Sequence, residues 1–444
     1  MVSKIQLNGS LKTRKKLLTE MHMNEYTIVT KCRVCSSDII EVLKLEPQFV
    51  ATTFVKSNAN NPMSQVRIPL TLMLCKNKNC GLVQLKETVR PDLLYKNYFY
   101  RTAINDTMRR DLQDVVNYAV NNVKTEKDDI AIDIGSNDCT MVSMYPEYMK
   151  RIGIEPATNI DWSKVSKSIT IVNDYFSKDV VMKTTNGKKA KILSATAMFY
   201  DFDDPNTATK DIKDILHEDG VCVLQVSYLL DTIRDMNFYD VVHEHLEYYS
   251  LKSINYLMER NGLTVIDAST NFANGGSLRV LVTHKENNKS KSKQYEEILA
   301  EEEKSNLEQV STYIDYRQKI NEIIKKAKKF IINELGNGQL VIGLGASTKG
   351  NVLLQICGID KNLLPFISDI NKDKIGLRTL GTDIEIISEE KAREINPSAM
   401  LVIPWNFKEE ILSREKNYVQ NGGKMLFLMP HPYYVDKFGE HEIQ

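Results

Sequence analysis

Short apolar runs alternate with segments of helical period through the middle of the chain. The run Ile130-Ala-Ile-Asp-Ile134 reads as a buried strand, and a helical stretch at 106–123 leads into it. Strand and helix patterns then alternate to about residue 285, which predicts a doubly wound α/β sheet. The polar run 285–293 reads as an exposed loop. After it, residues 294–335 carry one long helical pattern, with Ile320, Ile323, Ile324, Ala327 and Ile331 at helical spacing. A second strand, Gly-rich loop and helix follow at 340–357, with further strands at 364–368, 399–403 and 424–428. Residues 32–85 are different in kind: short apolar runs broken by turn residues. Residues 1–30 are basic and without period, and read as a mobile extension.

Composition narrows this picture. A chain of 444 residues exceeds one ordinary core, so two or three domains are expected. Hydrophobic residues at 42% and charged residues at 26% fit a globular chain, not a disordered one. Lysine plus arginine equals aspartate plus glutamate at 58 each, which offers no argument for a nucleic-acid partner. No apolar run approaches a membrane span, and none follows the basic start as a signal peptide would. A cytoplasmic protein is the expectation.

Four of the seven cysteines fall in the first eighty residues, as Cys32-x2-Cys35 and Cys75-x4-Cys80. Two thiolate pairs of this spacing can close a tetrahedral shell around one zinc ion. Four sulfurs leave no open position, so the zinc is expected to be structural. Four unrelated buried cysteines is the plainer alternative.

At the end of the strand 130–134 stands Asp133-Ile-Gly135-Ser136-Asn137-Asp138. Ligands of open α/β sheets sit at carboxyl strand ends, where a glycine admits close backbone approach. A dinucleotide fingerprint needs three glycines and this loop has one, which favours S-adenosylmethionine, a ligand without a pyrophosphate. Twenty-two residues beyond Asp133, Glu155-Pro156 ends a second strand, and a carboxylate there can accept both ribose hydroxyls. Asp174–Phe176 and Ser194–Met198 are the expected third and fourth strand ends. A structural turn in some other α/β enzyme is the competing reading.

Together with these, Val242-His243-Glu244-His245-Leu-Glu-Tyr248-Tyr249-Ser250, Asn274-Gly275-Gly276-Ser277-Leu-Arg279-Val280, Gly343-Leu-Gly345-Ala-Ser-Thr-Lys349-Gly350-Asn351 and Pro404-Trp405-Asn406 resemble the three-part sugar C-methyltransferases over residues 30–435. That family methylates nucleotide-linked keto sugars in deoxysugar biosynthesis, at C-3 in the members most similar. The resemblance implies an N-terminal zinc-binding module, a class I S-adenosylmethionine methyltransferase domain with a Rossmann-like sheet, and a C-terminal second Rossmann-like α/β domain. Boundaries are expected at 1–30, 31–90, 91–285 and 286–444. It further implies that the catalytic base comes from Glu244 and His245. A tyrosine commonly precedes that segment in the family, and Val242 stands there instead. The aromatic and basic segment Leu94–Arg101 resembles the stretch that lies over the active site, so Tyr95 is expected at substrate and Tyr98 and Tyr100 in catalysis.

Read from chemistry, methylation at carbon needs a carbanion equivalent, most accessibly made by removing a proton beside a ketone. A neutral histidine near pH 7 can do this with a neighbouring carboxylate to support its charged form. His245 is the expected base and Glu244 its partner, with Tyr98, Tyr100, Tyr248 or Tyr249 as donors to the enolate. A pair of satisfied structural histidines, or a metal site with both on one strand face, remain alternatives for His243 and His245. Asn274 reads either as a turn or as a contact to cofactor or sugar. Arg279 reads as a phosphate partner or a strand-face charge. The loop 343–351 lacks Walker spacing, but its helix N-terminus suits a diphosphate, with Lys349 and Asn351 toward substrate. Two further readings stay open: transfer to an amine or hydroxyl, and a non-catalytic nucleotide-binding module.

Overall fold

The computed structural model describes residues 25–50, 54–56, 67–96, 101–102 and 106–444. Tyr98 and Tyr100 lie outside the described residues, as do residues 1–24 of the expected extension. The end of that extension is ordered: β1 (Tyr26–Ile28) pairs antiparallel with β6 (Glu87–Val89).

Next come β2 (Ile39–Gln48), β3 (Phe54–Lys56), β4 (Ile68–Cys75) and β5 (Val83–Leu85). β2, β4 and β5 form an antiparallel sheet whose cysteines sit at one end. β4 is almost wholly buried, lying between β2 and β5 in this sheet. β3 leaves this sheet altogether and pairs with a strand of the C-terminal module.

The middle module begins with α1 (Asp106–Asn121), whose buried Met108, Leu112, Val115, Val116 and Ala119 recur at helical spacing. Its strands are β7 (Ile130–Ile134), β8 (Lys150–Ile154), β9 (Ile169–Val172), β10 (Ala190–Thr196), β11 (Leu216–Ser227), β12 (Glu247–Tyr248), β13 (Leu263–Asn271) and β14 (Ser277–His284). The sheet order is β13-β14-β11-β10-β7-β8-β9. β7 to β11 are parallel, and β14 runs antiparallel to β11. Parallel strands covered on both faces need continuous apolar runs, and every residue of β7 is buried. Helices α2 (Lys178–Thr185) and α3 (Pro205–Ile215) start on side-chain caps, Ser177 and Asp204, which satisfy the first free backbone amides. The order turns at β7, where the chain runs out to β9 and returns to β10. Such a reversal opens a crevice at the carboxyl strand ends.

The expected single helix at 294–335 is two, α4 (Lys293–Lys304) and α5 (Val310–Gly336). The chain breaks where Asn306 takes a left-handed backbone, φ 53°, and the Ser305 hydroxyl caps back onto Glu301. The predicted apolar stripe of α5 is buried, extended by Tyr313 and Tyr316. α5 packs against both β2 and the C-terminal sheet.

That sheet comprises β15 (Val341–Leu344), β16 (Phe366–Asp369), β17 (Leu377–Thr379), β18 (Glu385–Ser388), β19 (Ala399–Val402), β20 (Lys424–Phe427), β21 (Tyr433–Asp436) and β22 (Gly439–Glu442). Five parallel strands form its centre, the hairpin β21–β22 one edge, and β17 with β3 the other. Helix α6 (Thr348–Cys357) follows β15. Its Gln355 side chain accepts from the Phe49 amide at 2.9 Å and donates to the Phe49 carbonyl at 3.2 Å. The three modules therefore exchange strands and hydrogen bonds. Among the described residues, no helix is long and apolar enough to cross a membrane.

Candidate active site and metal centre

The sulfurs of Cys32, Cys35, Cys75 and Cys80 all lie within 4.8 Å of one another, and all four cysteines are free thiols. Cys32 and Cys80 are 3.7 Å apart and Cys35 and Cys75 3.4 Å. Zinc–sulfur bonds of about 2.3 Å in a tetrahedron place sulfurs about 3.8 Å apart, so the set fits zinc without rearrangement. Backbone turns shape both knuckles: the Ser36 amide donates to the Cys32 carbonyl, and the Cys80 and Gly81 amides to Asn77. Hydrogen bonds from Cys75 and Cys80 pull the Cys32 thiol far down, and the same bonds push those two up. One thiolate suppresses the others, and a divalent cation is what allows four together.

The second site lies at the ends of β7 and β8. Gly135 has φ 72°, and a Cβ there would come within 2.8 Å of Met198 Cγ, so only glycine fits the turn. Both Glu155 carboxyl oxygens are held by backbone amides, Oε2 by Asn137 and Oε1 by Ala157, each at 2.8 Å. Each oxygen keeps a second lone pair for a ligand hydroxyl. Pro156 is half-buried, and the Asn173 side chain fastens the carbonyls of Glu155 and Ala157. Asp133 is enclosed, accepting from Ser194 Oγ at 3.2 Å. Burial raises both carboxyls, Asp133 strongly, and Glu155 adds like charge to it. Ser136 and Asn137 are buried beside them, and Trp162 Nε1 donates to the Asn137 carbonyl at 3.0 Å. Asp133, Gly135, Ser136, Asn137, Glu155 and Pro156 thus share one strand-end loop pair.

The third site stands where all modules meet. Glu244 and His245 lie in a turn before β12, not on a strand, so alternate-residue geometry does not apply to His243 and His245. His243 points away: its Nε2 donates to the Ile68 carbonyl of β4 at 3.1 Å, and burial lowers it to about 4. It is a neutral structural histidine. His245 is buried with Nδ1 unpartnered, and its ring lies 4.2 Å from the Tyr200 ring. Burial lowers its affinity for a proton well below the ordinary value, Lys349 adds to this, and the Asp240 backbone works the other way. Glu244 is buried with Oε2 unpartnered, and burial raises it to about 7 against the charge of Lys349.

Around this pair the structure brings residues that the sequence reading passed over. The 3-10 turns Phe199–Asp201 and Phe238–Asp240 share the tripeptide Phe-Tyr-Asp, and both flank the base segment. That repeat was the signal available. Burial raises Asp201 far above the carboxylate range, with Glu244 adding like charge, and raises Asp240 as well. Lys349 reaches across from α6 to pair with Asp240 Oδ1 at 2.6 Å and donates to the Asn274 carbonyl at 3.4 Å. The Tyr95 hydroxyl donates to the Glu244 carbonyl at 3.3 Å, and Trp405 Nε1 donates to the Tyr239 hydroxyl at 2.7 Å. Asn351, two residues beyond Lys349 in α6, is buried.

Several expectations change. Tyr248 donates to the Asp240 carbonyl at 3.2 Å, and Tyr249 is buried beside Glu247 on the cysteine side, so neither is placed as an enolate donor. Val242 is core, 2% exposed. Arg279 is not a free phosphate partner: it is bound to Asp111 at 3.0 Å and Gln225 at 2.8 Å. Gly345, φ 91°, leaves no room for a Cβ, which would meet Pro404 at 2.6 Å. An open cleft of about 1110 Å³ lies between the first turns of α1 and residues 406–410, lined by Arg109, Arg110, Phe407 and Lys408 among others.

A strand-end crevice with an amide-held carboxylate, four clustered sulfurs and the buried Glu244–His245 segment between modules fit an S-adenosylmethionine-dependent methyltransferase with a zinc-binding domain. Three family models match in succession: a zinc binding domain at 32–95, a methyltransferase domain at 104–268, and a C-methyltransferase C-terminal domain at 272–430. The chain is 25% identical over 410 residues to the C-methyltransferase NovU of Streptomyces niveus, covering 92% of this chain and 97% of that one. The chain thus carries, in order, a zinc-binding domain, a methyltransferase domain and a C-methyltransferase C-terminal domain. Among solved structures, the N-methyltransferase NodS of Bradyrhizobium japonicum is 13% identical, covering 40% of this chain and 97% of that one, TM-score 0.31. The 1,6-didemethyltoxoflavin-N1-methyltransferase of Burkholderia thailandensis, with S-adenosylhomocysteine bound, is 9% identical, covering 41% and 80%, TM-score 0.31.

Proposed function

We propose that the protein methylates a carbon beside the ketone of a nucleotide-linked keto sugar, with His245 as the base. The observation that carries this reading is the buried segment itself: His245, with a free ring nitrogen and a lowered proton affinity, directly follows Glu244, whose carboxyl burial raises to about 7. S-adenosylmethionine supplies an electrophilic methyl group at the ends of β7 and β8.

His245 Nδ1 takes the proton from the carbon next to the ketone, and the electron pair delocalises onto the ketone oxygen. Burial makes the imidazolium costly, and ionised Glu244 offsets that cost. Lys349 holds positive charge toward the same pocket, where it supports the developing oxyanion; this is a different task from the diphosphate contact expected of it. Tyr95 orients the Glu244 backbone. The nucleotide part has room in the cleft by Asn406 and Phe407, where Arg109 and Arg110 suit a diphosphate and Phe407 a base. Asn274 and Asn351 belong to the sugar side of that path.

Incubation with a nucleotide-linked 4-keto sugar in deuterated water tests the reading. Solvent deuterium should enter at the carbon beside the ketone, and His245→Gln should abolish it. Methyl transfer to an amine or hydroxyl without exchange would overturn carbon chemistry.

A further inference from the structure

Arg33 stands between two metal ligands, yet its side chain serves other residues. The guanidinium is 2% exposed. Nη1 donates to the Asp203 carbonyl at 3.1 Å and to Asp203 Oδ1 at 2.5 Å. Nη2 donates to the Leu85 carbonyl at 3.3 Å and to Thr88 Oγ1 at 2.6 Å. Nε faces Glu247 Oε1 at 3.6 Å, an ion pair beyond hydrogen-bond distance.

Two of these partners, Asp203 and Glu247, adjoin the segments that flank His245. Asp203 lies two residues beyond the turn that carries Tyr200 and Asp201, and Glu247 lies two residues beyond His245. The same segments are joined by backbone: the Leu246 amide donates to the Tyr200 carbonyl, and the Leu85 amide to the Leu246 carbonyl, both at 2.8 Å. β12 extends the zinc-module sheet by pairing with β5. The knuckle is held in return, since Asn206 donates to the carbonyls of Arg33 at 2.9 Å and Val34 at 3.0 Å. Glu247 is fully buried, with neither carboxyl oxygen hydrogen-bonded, and the unpartnered Tyr249 hydroxyl is buried beside it. Burial raises the Glu247 carboxyl far above the carboxylate range and Arg33 works against this, so the state of that buried group depends on Arg33.

We infer that Arg33 is a positioning residue through which the zinc knuckle sets His245 against the Tyr200–Asp201 wall. The zinc module is then part of the catalytic geometry and not only a support. This rests on His245 as the base. Leu85 and Thr88 lie in the zinc module itself, whereas Asp203 and Glu247 belong to the middle module and follow the two segments that carry Tyr200 and His245.

The test uses zinc-loaded full-length protein with Arg33→Met, Arg33→Lys and the double change Arg33→Met with Glu247→Leu. Zinc content, S-adenosylmethionine affinity, kcat, KM, the pH profile and the ring resonance of His245 in carbon-13 histidine-labelled protein are measured. His245→Gln assigns the resonance. Arg33→Met should keep zinc and cofactor affinity, lower kcat about 10–100-fold, the range for residues supporting a site from behind, and shift both the pH profile and the His245 resonance. KM should change little. Arg33→Lys should recover part of kcat. The double variant, which leaves no unpaired buried charge, should recover melting temperature but not kcat. An unmoved His245 resonance with unchanged kcat overturns the inference, as does a loss of kcat in the double and lysine variants that follows zinc content alone. Normal turnover by His245→Gln would instead overturn the base assignment, while the resonance could still report on Arg33 through Tyr200-facing shifts.

Discussion

The cofactor crevice and the base pocket are built in opposite ways. The crevice comes from two adjacent strands whose ends lie 22 residues apart, with Glu155 fastened by the amides of Asn137 and Ala157. The base pocket draws Tyr95 and Arg33 from the N-terminal module, Asp201, Asp240, Glu244 and His245 from the middle one, and Lys349 and Trp405 from the C-terminal one. A site made of neighbouring strand ends survives as long as its own sheet does. A site made of three modules depends on every interface between them.

The largest expected break in that contrast is metal loss. Cys75→Ser should release zinc and with it the sheet that holds β12, abolishing turnover; structural zinc contributes on the order of 10 kcal/mol in small zinc domains. Cofactor binding measured by calorimetry should persist, and its loss would show that the two sites are not separable. Next, His245→Gln should lower kcat about 10²–10⁴-fold, the usual share of a general base, with cofactor affinity unchanged.

Glu244 supplies a pH test. Its folded value of about 7 stands above the ordinary 4.5, so its contribution to stability is complete below about pH 4.5 and is lost as pH rises through 7. The gap corresponds to about 3 kcal/mol. Glu244→Gln should therefore melt higher than wild type at pH 8 and not at pH 4.5, and should flatten the rise of kcat through about pH 7. An unchanged difference in melting temperature between the two pH values would count against a buried, ionising Glu244.

On the crevice side, Glu155→Ala should weaken S-adenosylmethionine binding about 10–100-fold, as expected for hydrogen bonds to a charged group. Deuterium exchange on the substrate without cofactor should continue at its normal rate. The smallest effect is expected from Trp405→Phe, which removes one hydrogen bond to Tyr239 worth about 1 kcal/mol. It should raise KM a few-fold and leave cofactor affinity alone.

Legibility followed the same division. The Asp133–Asn137 loop, Glu155 and the four cysteines are short-range patterns, and the structure brings each set together. The pocket was legible only in its Glu244–His245 core. Asp201 and Asp240 carry no periodic or spacing signal apart from their shared Phe-Tyr-Asp, and Arg33 carries none beyond its place between Cys32 and Cys35. Lys349 was visible as part of a glycine loop, but its pairing with Asp240, more than a hundred residues away, was not. Likewise α4 and α5 shared one helical period, and the break between them lies in the backbone of Asn306.

Periodicity, cysteine spacing and the strand-end acids by themselves determined three α/β and zinc-binding parts, a cofactor crevice and a base candidate, because each of these is set by residues close in the chain. Tertiary structure alone decided which histidine is structural, where Lys349 points, and that β12 and β3 join sheets of other modules. Burial and charge at those positions come from groups distant in sequence, and the proton affinities of Glu244 and His245 follow from what is packed around them.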